Sequence, residues 1–222
     1  MDKQSAQNAI LSIIGAYKTI QAGDRKLVKA LTDGKLYELY VLSRVLQELR
    51  GRGFRIRFVG KDLKFKASPG MIQSYDPHFD LYAPGSNVPD FRLYTDIEFE
   101  TLGGAGHAAC DESCYHEIDI IVVDANATGR PSHDQVALGV ECKSSANFSK
   151  SIVREALGLR RELSYVRPHG LQSRLSASGK VTAEHVPAEP ASEYWLAFVD
   201  GKGLSYGVSP STFGIRFLHW QP

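Results

Sequence analysis

The chain has 222 residues, a formal net charge of +1 and 43% hydrophobic residues, which suits a single globular α/β domain with an N-terminal appendage. So small a net charge excludes a global field that attracts nucleic acid, and any such binding would need local basic patches. Three cysteines and the lack of a recognisable signal peptide favour a reducing cytoplasm, and no apolar run approaches the ~18 residues that span a membrane.

The N-terminal part is predicted to be helical. Apolar residues recur at helical spacing over residues 6–31, which places a helical segment in residues 1–32. Lys35–Arg50 is the strongest predicted helix, with a continuous leucine-rich stripe. Gly51 and Gly53 are expected to end it. Residues 33–222 then form the main domain.

Two short basic segments follow this helix. Phe54–Phe58 and Asp62–Lys66 each alternate apolar with basic residues and predict two half-exposed strands of a hairpin. One face would carry four cations, Arg55, Arg57, Lys64 and Lys66. These cations either meet a phosphate backbone or form a solvated sheet face. Residues 67–91 are rich in Pro and Gly and predict an irregular insertion with short strands at best.

Phe91–Leu102 alternates again and predicts a strand. If the alternation holds, Asp96, Glu98 and Glu100 share one face. Glu98 or Glu100 is a candidate extra metal ligand, although solvation or pairing with basic residues is the simpler interpretation.

The glycine-rich stretch that follows contains four residues of types that bind zinc, His107, Cys110, Cys114 and His116. Their compact spacing differs from that of common zinc motifs, so a glycine-rich loop with incidental cysteines is the favoured interpretation. A zinc-stabilised interaction domain is the competing one.

The most informative stretch is a pair of strands joined by a polar loop. His116–Asp124 and Val136–Ser144 are apolar runs, and the loop between them predicts that they pair as a hairpin. Asp119 interrupts the first run, and Glu141 and Lys143 lie near the end of the second. Because side chains alternate along a strand, Glu141 and Lys143 point the same way and can face Asp119. Two carboxylates at such a short distance repel each other unless a cation lies between them. Oxygen ligands of this kind suit Mg²⁺ or Mn²⁺.

The C-terminal part continues the alternation of helix and strand. A helix is predicted from about Ser149 to Val166, then a loop over residues 167–193 and a buried strand at Tyr194–Val199. Apolar residues from Ile215 onward are expected to add an edge strand or a helix.

Asp119 followed by Glu141-Cys142-Lys143 resembles the motif of the PD-(D/E)xK nucleases, which have the restriction-endonuclease-like fold. Ile118 stands where the motif has proline. The resemblance covers roughly residues 35–200 and implies an α/β core whose mixed sheet is flanked by helices. A surface hairpin with merely solvated charges is the alternative, although Asp119 among Ile and Val residues is a poor setting for an idle carboxylate.

The resemblance implies Mg²⁺- or Mn²⁺-dependent hydrolysis of phosphodiester bonds. The implied metal ligands are Asp119, Glu141, the backbone carbonyl of Cys142, and a glutamate on the first core helix, which matches Glu38. Glu38 also fits an ordinary glutamate on a helix surface.

Lys143 would orient the attacking water or stabilise developing charge. After the motif, the predicted helix would place Lys150 or Arg154 near the nucleic-acid backbone.

Several biological roles fit this chemistry. DNA is the expected substrate and RNA the alternative, and cleavage of both strands of a duplex would call for a homodimer. A role in prokaryotic or phage defence is preferred by analogy, and repair and recombination are the other roles that fit. The competing hypothesis is a catalytically inactive module with the nuclease fold that binds nucleic acid or a protein.

Overall fold

The computed structural model describes residues 2–66, 68–176 and 184–222. Across these residues the chain forms five α-helices: α1 (Lys3–Ile14), α2 (Ala22–Ala30), α3 (Asp33–Gly51), α4 (Lys150–Leu163) and α5 (Val208–Ser211). The same residues form nine strands: β1 (Arg55–Val59), β2 (His78–Tyr82), β3 (Phe91–Glu100), β4 (Tyr115–Asp124), β5 (Val136–Lys143), β6 (Tyr165–Gln172), β7 (His185–Glu189), β8 (Glu193–Phe198) and β9 (Ile215–His219).

Seven of the described strands build the main sheet, in the order β1-β2-β3-β4-β5-β8-β9. The pairs from β1 to β5 are antiparallel, whereas β5 pairs in parallel with β8 and β8 with β9. Parallel neighbours need a long crossover connection, and the segment between β5 and β8 contains α4 and the β6–β7 hairpin. The chain is therefore an α/β protein with a mixed central sheet.

Helices cover both faces of the main sheet and divide its core in two. One core lies between the sheet and α1, α2 and α3, and it includes Ile10, Leu42, Ile120 and Trp195. The other lies between the sheet and α4, and it includes Phe99, Ile121 and Phe198. Because α1 contributes buried residues to the first core, the N-terminal helical segment packs as part of the same structure.

Most predicted elements are confirmed. Helix α3 ends close to the expected glycines, and Gly53 adopts a φ of 97°, a left-handed conformation that glycine tolerates better than other residues. The hairpin of β4 and β5, helix α4, strand β8 and a C-terminal edge strand all form. The insertion at residues 67–91 contains β2, whose five residues are all buried.

The predicted strand at Asp62–Lys66 is wrong. These residues form bends and loop, so no hairpin face carries Arg55, Arg57, Lys64 and Lys66 together. The segment is held instead by α2, where the Asp24 carboxylate accepts a hydrogen bond from the Leu63 backbone N–H at 3.1 Å. Leu63 is buried against the helices, and β1 pairs with β2 instead.

The predicted loop at residues 167–193 is also wrong in part. Strands β6 and β7 form a separate two-stranded antiparallel sheet, and residues 177–183 of the predicted loop lie outside the described residues. Pro168 and Pro187 suggested a loop because proline disrupts central strands. In a two-stranded sheet both strands are edges, where proline is tolerated.

Candidate active site at the fork of two strands

Strands β4 and β5 separate at the level of Asp119 and Glu141. Their pairing ends at Ile120 and Val140. Beyond this point β4 stays paired with β3, while β5 stays paired with β8. Asp119 and Glu141 are thus the first residues past the last pair, at the base of a fork in the main sheet. The Asp119 Oδ2 atom accepts a hydrogen bond of 2.7 Å from the Cys142 backbone N–H across this fork.

Side-chain alternation breaks in β3 and β4 at the same level. Leu93 belongs to the core on the α3 side, but Ile97, which simple alternation would place with it, belongs to the core on the α4 side. Between them Asp96 has a φ of 54°, a left-handed conformation that Asp tolerates better than most residues. Strand β4 shows the same reversal, because Ile118 and Ile120 lie in different cores.

Three carboxylates converge where the alternation breaks. Glu38 on α3, Asp96 on β3 and Asp119 on β4 each offer one oxygen, and these oxygens lie within 4.8 Å of one another. Among the described residues this is the one group of three or more acidic, histidine or cysteine side chains with such geometry. Carboxylate oxygens alone suit a hard divalent cation such as Mg²⁺ or Mn²⁺.

Lys35, one helical turn before Glu38, partly neutralises this cluster. Its ammonium group lies 2.6 Å from Glu38 Oε2 and also contacts Asp96 Oδ1. Asp119 has no lysine or arginine within ion-pair distance among the described residues. The cluster therefore contains three carboxylates and one ammonium group.

Glu141 and Lys143 lie together inside a cleft. The Lys143 ammonium is 3.2 Å from Glu141 Oε2 and 3.6 Å from Glu155 Oε2 on α4. The cleft has a volume of about 550 Å³, and its walls come from β4, β5, α4 and β8. Its charged lining residues are Glu117, Asp119, Glu141, Lys143, Glu155 and Glu162. With five carboxylates and one lysine, the cleft repels a phosphate unless a cation enters.

Proton affinities reflect this crowding of carboxylates. Burial raises the pKa of Glu38 to about 7, and the charges of Asp119 and Asp96 act in the same direction. Burial and the neighbouring Asp119 raise the pKa of Glu141 to about 8, against the opposing effect of Lys143. Burial also raises the pKa of Asp119, although the hydrogen bond from Cys142 opposes it. Burial alone would lower the pKa of Lys143, but Glu141 raises it overall.

The structure brings together most of the residues predicted for the site. Glu38 and Asp119 meet in the carboxylate cluster, and Glu141 and Lys143 line the cleft beside Asp119. Glu141 lies outside the converging group and pairs with Lys143. For Cys142, the contact with Asp119 is made by its N–H, and a role for its carbonyl stays a prediction.

Asp96, Glu98 and Glu100, which were expected to share one face, make different contacts. Asp96 turns into the carboxylate cluster. Glu98 instead pairs with Arg130 at 2.8 Å.

The predicted basic residues are scattered. The Arg55 guanidinium lies 3.7 Å from the centre of the Tyr82 ring, and Arg57 pairs with Asp80 at 2.6 Å on the far edge of the main sheet. Lys66 pairs with Asp76 at 3.0 Å, and Lys64 lines an apolar pocket behind Lys35. Lys150 and Arg154, in contrast, are exposed on α4, the helix that forms one wall of the cleft.

The proposed zinc ligands do not converge. His107, Cys110, Cys114 and His116 are all described, and they form no group with metal-binding geometry. Cys110 donates a long hydrogen bond of 3.5 Å to the Gly104 carbonyl. The glycine-rich loop was the favoured interpretation of this stretch.

Sequence reasoning missed Asp96 and Lys35. The apolar residues around Asp96 keep a strand-like pattern, so nothing nearby signals the left-handed residue. Lys35 occupies an unremarkable helix position, and its partner Asp96 is 61 residues away.

Comparison with known proteins yields no relative: no family model, no curated protein and no solved structure matches this chain. Within the described ranges, no helix combines the length and apolar character needed to cross a membrane.

Proposed function

We propose that the chain is a metal-dependent nuclease of the PD-(D/E)xK type, with the restriction-endonuclease-like fold, and that it hydrolyses phosphodiester bonds in DNA. One observation carries the proposal: Asp119, Glu141 and Lys143 line a single cleft at the fork between β4 and β5. Carboxylates from α3 and β3 join Asp119 there. The carboxylates on α3 and β3 support the assignment, because the sequence motif is short and is weak evidence by itself.

The chemistry of the donors fits a divalent metal ion. Glu38, Asp96 and Asp119 supply only carboxylate oxygens, and burial and neighbouring carboxylates raise the pKa values of Glu38 and Asp119 despite the charge of Lys35. These three residues would hold Mg²⁺ or Mn²⁺. When bound, the ion would neutralise phosphate charge and acidify a coordinated water.

The remaining cleft residues position the substrate and handle protons. Glu141 and Glu155 hold the Lys143 ammonium inside the cleft, where it can donate hydrogen bonds to a phosphate oxygen or to the attacking water. Glu141, with a pKa raised to about 8 by burial and by Asp119, can exchange a proton near neutral pH. We therefore propose that Lys143 orients the attacking water and that Glu141 accepts the proton of this water.

Binding of a long substrate needs cations outside this acidic cleft. Lys150 and Arg154 are exposed and lie on the helix that forms the cleft wall. We assign them contacts with the nucleic-acid backbone. Cleavage of both strands would use two copies of the chain, so a homodimer is part of the proposal.

The test is cleavage of supercoiled, linear and single-stranded DNA and of RNA in Mg²⁺ or Mn²⁺. Wild-type protein should cut at least the DNA substrates, and Asp119→Asn and Lys143→Met should each lose about 100-fold or more in rate. Glu98→Gln, a charge change on β3 at a residue that pairs with Arg130, should keep wild-type activity. Absence of cleavage by folded wild-type protein on every substrate would overturn the proposal.

The second candidate is an inactive binding module with the same fold. Lys35 favours it, because its ammonium already bridges Glu38 and Asp96 and so occupies part of the carboxylate cluster. Under this alternative, Mg²⁺ would change neither the thermal stability of the protein nor its affinity for nucleic acid. Under the nuclease proposal the ion has to displace Lys35, and Lys35→Met should bind Mg²⁺ more tightly than wild type.

A further inference from the structure

A second cavity adjoins the cleft at the C-terminal end of α4. It has a volume of about 650 Å³ and shares the Glu162 wall with the cleft. Arg160, Arg161 and Ser164 line it from α4 and the residue that follows, and Tyr165 lines it from the start of β6. Its size lies within the usual range of small-molecule sites.

Arg160 is a buried cation that has no anionic partner among the described residues. Its side chain is 2% exposed, and its hydrogen-bond acceptors are all neutral: the Phe213 carbonyl at 3.0 Å, the Ser192 carbonyl at 2.9 Å and the Ser192 hydroxyl at 3.3 Å. The nearby Glu193 is already engaged by Arg52 at 2.6 Å. Burial of an unpaired charge is costly, and within the part of the chain that the structure describes this guanidinium group has no counter-ion.

Unpartnered polar atoms concentrate at this cavity. Among the described residues, four buried side-chain polar atoms make no hydrogen bond, and two of them, Arg160 Nη2 and Ser164 Oγ, belong to residues of the cavity wall. Arg161, also on the wall, is exposed. The wall thus offers one exposed guanidinium group, that of Arg161, with the Arg160 guanidinium and the Ser164 hydroxyl buried beneath it. The wall has one carboxylate, that of Glu162, which accepts a hydrogen bond of 3.4 Å from the Gly103 N–H.

An exposed aromatic ring completes the cavity. Tyr165 is 63% exposed, and Val166 beside it is 50% exposed. Exposed aromatic rings next to cations are the usual platform for a nucleobase, because each base presents a π-face that stacks irrespective of sequence.

From these contacts we infer that the cavity is a nucleotide subsite for a single-stranded segment of nucleic acid leaving the cleft. Arg161 holds a phosphate, the buried positive charge of Arg160 beneath the wall attracts it, and Tyr165 stacks on the adjoining base. Fork-like guanidinium groups match phosphate oxygens bidentately, which explains the choice of arginine. The inference rests on the proposed function for the identity of the polymer, but the binding step itself needs no catalysis.

The experiment measures binding without metal, so that it does not depend on cleavage. A fluorescently labelled single-stranded oligonucleotide of about six residues is titrated with protein in a chelating buffer, and anisotropy is recorded. Arg161→Gln and Tyr165→Ala should each weaken binding about tenfold, the factor for loss of one charged hydrogen bond or one stacked base. The matched controls Arg25→Gln and Tyr75→Ala, both exposed elsewhere, should bind as wild type does.

Competition by inorganic phosphate distinguishes a nucleic-acid site from a site for the free ion. Phosphate should displace the oligonucleotide from wild type and lose most of this effect in Arg161→Gln. If phosphate protects the protein thermally but does not compete with the oligonucleotide, the assignment to nucleic acid is overturned. Equal oligonucleotide affinities of wild type, Arg161→Gln and Tyr165→Ala overturn the subsite as a whole.

Because Arg160 is buried, Arg160→Met can fail to fold, and the surface variants carry the test. Should the protein cleave no substrate while the binding pattern holds, the nuclease proposal fails and the subsite stands.

Discussion

Glu193 and Glu141 lie near opposite ends of the paired strands β8 and β5, and both are buried carboxylates. Glu193 accepts two hydrogen bonds from the Arg52 guanidinium, at 2.6 and 3.1 Å. It also accepts one at 2.9 Å from the Trp195 indole N–H and one from the Ser173 hydroxyl. Every strong acceptor position is thus used by a donor held in the core.

Glu141 has fewer compensating partners than Glu193. Among the described residues its ion-pair partner is Lys143, at 3.2 Å, and the nearby Asp119 adds negative charge. Its pKa is raised to about 8, chiefly by burial and then by Asp119. One end of the sheet therefore carries a carboxylate whose charge is compensated, and the other carries carboxylates that need a further cation. The difference separates a structural ion pair from a site built to bind something.

The largest effect is expected from breaking the buried ion pair between Arg52 and Glu193. Arg52→Met should lower the free energy of unfolding by about 3–5 kcal/mol, because it leaves the Glu193 carboxylate buried and unpaired. Denaturant unfolding followed by tryptophan fluorescence measures it. Arg216→Met, which breaks the exposed pair with Glu48, should cost less than about 1 kcal/mol. A similarly small loss for Arg52→Met would contradict the distinction drawn here.

The carboxylate-rich end should instead make stability depend on pH. An acid whose pKa is higher in the folded than in the unfolded protein binds more protons when folded, so stability falls as pH rises between the two values. For Glu141 this window runs from 4.5 to about 8, and for Glu38 from 4.5 to about 7. In chelator, the Glu141 shift alone should cost wild type on the order of 3 kcal/mol from pH 5 to pH 8.

Glu141→Gln isolates this contribution. The variant should be more stable than wild type at pH 8 and should show a flatter profile between pH 5 and pH 8. Asp24 and Asp200, whose pKa values are lowered, act in the opposite sense only below about pH 4, outside this range. An unchanged slope in Glu141→Gln would mean that other groups cause the pH dependence.

Binding of a divalent cation should offset the destabilisation that the buried, mutually repelling carboxylates cause. With Mg²⁺ at 100 times its dissociation constant, the folded state gains about 2.7 kcal/mol. The gain should disappear in Asp96→Asn and Glu38→Gln and persist in Glu98→Gln, which alters a carboxylate outside the cluster. Thermal unfolding with and without Mg²⁺ measures the gain. Equal gains in all three variants would show that the ion binds elsewhere.

The sequence predicted the end of β5 well because a local rule suffices there. From Leu138 to Lys143 the side chains of β5 alternate, so Glu141 and Lys143 share the face that opens on the cleft, while Cys142 packs on the other side. The helix α3 and the buried strand β8 were likewise predictable from continuous apolar patterns.

The features that the local sequence pattern did not predict depend on contacts between residues far apart in the chain. The backbone of Asp96 is held by Gly70, whose N–H donates to the Asp96 carbonyl at 3.2 Å and whose carbonyl accepts from the Glu98 N–H at 3.1 Å. Similarly, the segment containing Lys64 and Lys66 lacks strand structure because Leu63 is held by Asp24 on α2. Neither contact leaves a mark in the local sequence pattern.

The smallest expected effect concerns the left-handed backbone conformation of Asp96. At an ordinary strand position alanine is favoured over glycine, but at a left-handed residue the Cβ atom costs alanine about 1–2 kcal/mol. Asp96→Gly and Asp96→Ala both remove the carboxylate and its contact with Lys35, so their difference in unfolding free energy reports the backbone alone. We expect Asp96→Gly to be more stable by about 1 kcal/mol.

Glu98 supplies the matched comparison, since it lies two residues further along β3 with ordinary strand geometry. There Glu98→Ala should be more stable than Glu98→Gly, the reverse of the order at Asp96. The same order at both positions would mean that Asp96 is not left-handed in solution. In that case normal alternation would turn its carboxylate away from Glu38 and Asp119, and the three-carboxylate cluster would lose its β3 member.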